Sequence, residues 1–158
     1  MGKKKACYYT ISSYNNYQLL KMKPVDQTIV AIEDGDCTRA CLASILELPI
    51  DAVPNFMRFP KWFDVMQGFL RSLDYNCYGT GFPHSHKIRE YAIKGFVIAS
   101  VDSRTFKNTT HSVVVNSKGV CVHDPNPNLA WKGVNVVKTK ALKHWLLIAK
   151  KGKKDSPC

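Results

Sequence analysis

The hydrophobic periodicity of this chain changes once, near Gly95, and that change restricts the fold more than any other feature. Before it, apolar residues recur at three- and four-residue spacing: Ala40, Leu42, Ala43, Ile45 and Leu46, then Trp62, Val65, Met66, Phe69, Leu70 and Leu73. Such spacing lines one face of an α-helix. It predicts a first helix that opens at Asp36, a good N-cap residue, and stops before Pro49, and a second from about Pro60 to Leu73. After Gly95 the apolar residues come in short β-branched or aromatic runs at 95–101, 111–115, 120–123, 134–137 and 145–149, each the length of a strand. The turn signal Asn116-Ser117-Lys118-Gly119 joins the second and third of these as a hairpin. Helices first and strands second is an α+β arrangement, with an N-terminal helical half facing a C-terminal antiparallel sheet across a cleft. The Gly-, Pro- and His-rich stretch 74–94 reads as loop with a short helical piece near Lys87 to Ala92.

The 158 residues suffice for one core and not for two ordinary ones. Residues 22–149 are assigned to that domain. Residues 1–21 form a tyrosine-rich N-terminal extension with room for one strand, and 150–158 a basic C-terminal tail. The net charge of +11 is unevenly placed. Lys3, Lys4 and Lys5, with the eight lysines between Lys132 and Lys154, account for all of it, so the remaining bases and acids balance. The basic ends act either as solubilising tails or as a grip for nucleic acid or an acidic partner. No apolar run approaches the roughly 20 residues that span a bilayer, and Met1-Gly2-Lys3-Lys4-Lys5 is followed by no signal-type apolar stretch. Gly2 lacks the downstream Ser or Thr of a myristoylation site, since Ala6 stands there. Six cysteines in a chain without an export signal read as thiols in a reducing compartment. The expectation is a cytoplasmic protein with no membrane association.

Chemistry concentrates where the first helix begins. A cysteine at a helix N-terminus meets orphan backbone N–H groups and the positive end of the helix dipole, both of which favour the nucleophilic thiolate. Cys37 is so placed, and its polar neighbour Asp36 argues for exposure. Cys41, one turn further into the apolar helix, reads as core. In Thr109-Thr110-His111-Ser112-Val113 a histidine opens a strand anchored by valines, which makes His111 the candidate base. Asp124, on the returning strand of the hairpin, is the candidate to orient that imidazole. Two registers are open. A turn centred between Ser117 and Lys118 sets Asp124 opposite His111, whereas a bulge at Gly119 sets it opposite Ser112.

The run Gly35-Asp36-Cys37-Thr38-Arg39-Ala40-Cys41-Leu42-Ala43 resembles the Asp-Cys-Gly-x-x-Cys-Leu-Ala nucleophile helix of the double-glycine leader peptidases that mature bacteriocins. His111-Ser112-Val113-Val114-Val115 and Val122-His123-Asp124-Pro125 are similar to that family's histidine strand and Asp-Pro turn. The likeness is closer to small papain-like proteins encoded by tailed bacteriophages, which share Pro24-Val25-Asp26-Gln27-Thr28 and the Leu-Pro-x-x-x-Val-Pro-x-Phe run from Leu48 to Phe56. It covers about Met22 to Trp145. The resemblance implies a papain-like fold and a cysteine peptidase or amidase with Cys37, His111 and Asp124 as catalytic residues, no cofactor, a peptide or protein substrate, and, for a phage protein, a target in the host cytoplasm. It departs from the pattern twice. Thr38 replaces the glycine after the nucleophile, which narrows the backbone there. The oxyanion glutamine of the family stands six residues before the cysteine, where this chain has Ala31; the nearest is Gln27, ten before, brought into place only through a longer Glu33-Asp34-Gly35-Asp36 loop.

A second class of function competes with catalysis: an inactive papain-like scaffold whose basic ends bind nucleic acid or an acidic host partner. Zinc is a weaker reading. The close pairs Cys37 with Cys41, His84 with His86, and Cys121 with His123 lack the spacing of a finger or ribbon, so no metal is assigned. Trp131, His84 and His86 stand on loops as cleft-lining candidates.

Overall fold

The computed structural model describes residues 21–81 and 95–150. They form an α+β structure of two α-helices and an antiparallel sheet. Helix α1 spans Cys37–Leu46 and α2 spans Trp62–Ser72, with one-turn 3-10 helices at Ile50–Ala52 and Phe56–Arg58 between them. The strands are β1 (Tyr75–Gly81), β2 (Phe96–Asp102), β3 (Thr110–Asn116), β4 (Cys121–His123) and β5 (Leu142–Lys150). They lie in the order β1-β5-β2-β3-β4, every pairing antiparallel.

The strands β2 and β3 are buried on both faces, which is why they read as near-continuous apolar runs. Alternate residues divide between two cores. Phe96, Ile98, Val114, Leu146 and Ile148 pack with Leu42 and Ile45 of α1 and Met66 and Leu70 of α2. Val97, Ala99, Val101, Val113, Val115 and Trp145 pack on the opposite side with Trp131 and Val136 from the 124–141 connection. Cys41 is fully buried in the helix-side core, as its position in α1 predicts.

Two departures from the sequence reading concern strands. The segment 75–81, assigned to loop, is β1, fixed by pairing with β5 from Tyr75↔Lys150 to Gly81↔His144. The run 134–137, assigned to a strand, makes a single bridge, Val120↔Asn135, and then turns into a 3-10 helix at Val136–Lys138. Val136 is fully buried there, and its N–H is taken by the Gly119 carbonyl. The residues 1–20, the helical piece near Lys87 to Ala92, and His84 and His86 lie outside the described residues.

The β3–β4 hairpin forms at the predicted turn, closed by Gly119 N–H to the Asn116 carbonyl at 2.9 Å and by the Asn116 side chain accepting from Lys118 and Val120 N–H. Gly119 has φ +77°, and a Cβ there would collide with Val137. Neither predicted register extends to Asp124. Val115 lies opposite Cys121 but Val114 opposite His123, so Val122 is an extra residue, a bulge. Without it Asp124 would continue on the side of Ser112. With it the register advances one residue, and Asp124 falls beside Val113, on the face that His111 shares.

Candidate active site

Asp36 prepares the site before Cys37 enters it. It stands at the N-cap position of α1 but makes no side-chain cap; its carboxylate points backwards and is fully buried. Oδ1 accepts from the N–H of Thr28 at 2.9 Å and of Ile29 at 2.8 Å, Oδ2 from the Thr28 hydroxyl at 2.7 Å, and Arg39 lies 3.5 Å from Oδ2. Those bonds close the loop between Gln27 and Asp36 into a fixed wall. Gly35 is required at its base, because a Cβ there would run into the Ala31 carbonyl. The first ladder bond of α1 joins Ala40 N–H to the Asp36 carbonyl at 2.9 Å, which leaves the N–H groups of the first turn outside the helix ladder. The Cys37 thiol, at that turn, is half-buried and joined in no disulfide.

Across from it, β3 delivers His111 at its second residue, 9% exposed. His111 Nε2 lies 2.7 Å from Asp124 Oδ1, which leaves Nδ1 as the ring nitrogen not engaged by the carboxylate, and His111 lines the same cleft as Cys37. Asp124 is 1% exposed and saturated with donors: Asn126 N–H reaches Oδ1 and Trp131 N–H reaches Oδ2, each at 3.0 Å. The sequence-predicted Cys37, His111 and Asp124 thus lie at one site, drawn from α1, β3 and the residue after β4.

The titration behaviour follows from those contacts. Burial by itself would push the Cys37 thiol up, yet the hydrogen bond and charge of His111, then the Ser112 N–H and hydroxyl, hold it below the ordinary thiol value. Burial likewise acts to lower His111, but the Asp124 hydrogen bond and the Cys37 sulfur carry it up to about 9. Desolvation opposes ionisation of Asp124, and His111, Asn126 and Trp131 outweigh it, so its carboxyl lies below the usual range. The other buried thiols go the opposite way. Burial pushes Cys77 and Cys121 up to about 12 and Cys41 well above the ordinary value. Among the described cysteines, Cys37 is the one whose environment favours the thiolate.

Cys37 and His111 open onto a narrow cleft. Its walls are the closed loop, through Val30 and Ile32, and the β2–β3 connection, through Thr105 and Phe106. Gln27 lines the same cleft as Cys37. Its N–H is tied to the Pro125 carbonyl at 2.9 Å and its Nε2 donates to the Ile29 carbonyl at 3.1 Å. Trp131 does not line the cleft. It is buried in the second core with the Arg104 guanidinium 4.0 Å above its ring, and serves Asp124 through its backbone.

Two residues escaped the sequence reading. Asn126 closes an Asx turn on Asp124, for which Asp124-Pro125-Asn126 is the signal. Ser112 shares the helix-facing parity of Val114; a hydroxyl in that position, under α1, was the sign that it meets something polar there. Of the candidate zinc pairs, Cys121 is buried core and His123 donates to the Val25 carbonyl at 2.8 Å.

No protein-family model, curated protein or solved structure matches this chain. A thiolate paired with an imidazolium whose far nitrogen is fixed by a carboxylate can attack a carbonyl carbon and protonate the departing group. Among the described residues no helix is long and apolar enough to cross a membrane.

Proposed function

We propose that the chain is a papain-like cysteine hydrolase of the kind encoded by tailed bacteriophages, cleaving a peptide or isopeptide bond in a protein substrate. The observation that carries this reading is the convergence of Cys37 and His111 on one cleft, with His111 Nε2 held 2.7 Å from Asp124 Oδ1. The Cys37 thiolate attacks the scissile carbonyl. His111, held as imidazolium, passes its proton to the leaving amine, and then takes a proton from the water that releases the acyl group. Asp124 keeps the ring in orientation and stabilises its charge without itself being protonated. The Cys37 N–H, outside the helix ladder, and the Gln27 amide supply the donors for the tetrahedral oxyanion.

Site-resolved alkylation tests it. Iodoacetamide at neutral pH should modify Cys37 well ahead of Cys41, Cys77 and Cys121, and Cys37→Ala should abolish hydrolysis of p-nitrophenyl esters. If Cys37 reacts no faster than a free thiol peptide at that pH, the hydrolase reading is wrong.

A further inference from the structure

The β2–β3 connection, one wall of the cleft, is braced by its own polar groups. Ser103 N–H donates to the Thr109 carbonyl at 2.9 Å, Ser103 Oγ accepts from the N–H groups of Thr105 at 3.2 Å and Phe106 at 3.0 Å, and Thr109 spends its hydroxyl proton on the Phe106 carbonyl at 3.1 Å. The Thr105 hydroxyl is held from outside the connection, by the side chain of Asn126 reaching across from the Asp124 turn, and both residues line the cleft with Cys37 and His111. Asn126 is 7% exposed, and its Oδ1 accepts from Asn128 N–H at 3.0 Å. That bond settles which end of the amide is oxygen, so the group 3.1 Å from Thr105 Oγ1 is the NH2. An NH2 group only donates. The Thr105 oxygen therefore accepts, and its own proton is left for another group; among the described residues no acceptor takes it.

We infer that the Thr105 hydroxyl donates to an amide carbonyl of the bound peptide substrate, and that Asn126 is the positioning residue that keeps the Thr105 proton free for it. A peptide entering the cleft gives up solvent around its carbonyl groups, and each then needs a donor from the protein. On the facing wall Val30, Ala31 and Ile32 carry no side-chain donor. Thr105 supplies one from a connection whose backbone is already tied down, so little freedom is lost when the bond forms. The segment that sets this donor also sets the base: Asn126 N–H binds Asp124 Oδ1 at 3.0 Å, and the same oxygen lies 2.7 Å from His111 Nε2. Substrate donor and imidazole are thereby held in register by three consecutive residues. This inference rests on the hydrolase reading above, because it takes the cleft occupant to be a peptide whose scissile bond lies at Cys37.

The test measures two selectivities in the full-length native chain, Thr105→Val, Thr105→Ser, Asn126→Ala and the double variant of Thr105→Val with Asn126→Ala. The first is the ratio of kcat/KM for N-acetylglycine p-nitrophenyl ester, which has an amide carbonyl on the acyl side, to that for p-nitrophenyl acetate, which has none. The second is the ratio in which glycinamide and ethylamine capture the acetyl group from p-nitrophenyl acetate, since glycinamide brings a carbonyl on the leaving-group side. Loss of one neutral hydrogen bond corresponds to a change of roughly 2- to 10-fold. Thr105→Val should lower one of the two ratios by that factor, which also shows on which side the carbonyl lies, and Thr105→Ser should keep the native ratio. Asn126→Ala should lower the same ratio, and the double variant should match Thr105→Val, since Asn126 acts through Thr105. A purely structural role would lower the melting temperature and slow every substrate alike, leaving both ratios in place. Unmoved ratios in Thr105→Val overturn the inference, and full additivity in the double variant overturns the part given to Asn126, each sparing the hydrolase reading. A native chain that hydrolyses neither ester overturns both. Should Asn126→Ala fail to fold, unmoved ratios in Thr105→Val are enough to reject the inference.

Discussion

Asp124→Asn isolates the electrostatic part of the site, because the side chain keeps its shape and loses its charge. In the native protein three donors converge on the carboxylate: His111 Nε2 at 2.7 Å and Asn126 N–H at 3.0 Å on Oδ1, and Trp131 N–H at 3.0 Å on Oδ2. An asparagine offers one acceptor oxygen. If that oxygen serves His111 and Asn126, the new NH2 group faces the Trp131 N–H, donor against donor, in a site 1% exposed. An unsatisfied buried donor costs about 1–3 kcal/mol, and the variant should lose stability in that range by urea denaturation. The chemical effect is separate from the structural one. His111 is held up to about 9 with Asp124 as the main favourable contact, and the surplus of a charged hydrogen bond over a neutral one, about 1–1.5 kcal/mol, corresponds to roughly one pH unit. Titration of the His111 ring by NMR should therefore show its midpoint moving down by that amount, with thiolate at Cys37 falling at neutral pH as the imidazolium is lost. A His111 midpoint that stays near 9 in Asp124→Asn would refute the assignment of Asp124 as the group that charges the ring.

The remaining expectations use the same contacts. Gln27→Ala should slow p-nitrophenyl ester hydrolysis roughly 100-fold or more, as removal of an oxyanion donor does, while leaving Cys37 alkylation unchanged; equal loss in both assays would place Gln27 in the architecture of the site and not in the oxyanion hole. Asp36→Ala strands the Thr28 and Ile29 N–H groups and the Thr28 hydroxyl, and should cost about 3 kcal/mol or more in urea unfolding. His111 is raised from 6.5 to about 9 by folding, so its contribution to stability is complete below pH 6.5 and disappears as pH rises through 9. Asp124 is lowered, so its contribution is present above the ordinary carboxylate range and disappears as pH falls through its depressed value. Melting temperature measured against pH should accordingly fall on both sides of neutrality, and Asp124→Asn should flatten the alkaline side. Truncation after Lys150 should leave Cys37 alkylation untouched, and a change in its rate would show that the lysine tail reaches the cleft.

What could be read in the sequence was whatever local pattern decides. The 3.6-residue period of α1 and α2, the β-branched runs of β2 and β3, the Asn116–Gly119 turn and the cysteine at a helix start are all settled within a few residues, and each stands where the spacing put it. The failures share one cause, which is that a distant partner outvotes local preference. Tyr75-Asn76-Cys77-Tyr78-Gly79-Thr80-Gly81 has two glycines and no alternating apolar pattern, and becomes a strand because β5 presents a free edge to it. Val134 to Val137 has strong strand preference, yet burying Val136 in the second core bends it away. Asp36 carries a cap signature and is instead claimed by Thr28 and Ile29, eight and seven residues upstream.

The hairpin shows how a non-local detail can decide chemistry. Side chains on a strand alternate, so whether Asp124 reaches His111 or turns toward Ser112 and α1 depends on an odd or even count between them. Val122, squeezed out as a bulge between Cys121 and His123, supplies the odd residue. Its effect extends to both faces. His123 is sent to the helix side, where it holds the Val25 carbonyl, and Asp124 to the other, where it holds the imidazole. Since Val25 begins the segment that leads to Gln27, one inserted residue positions both the group that orients the base and the anchor of the wall opposite the nucleophile.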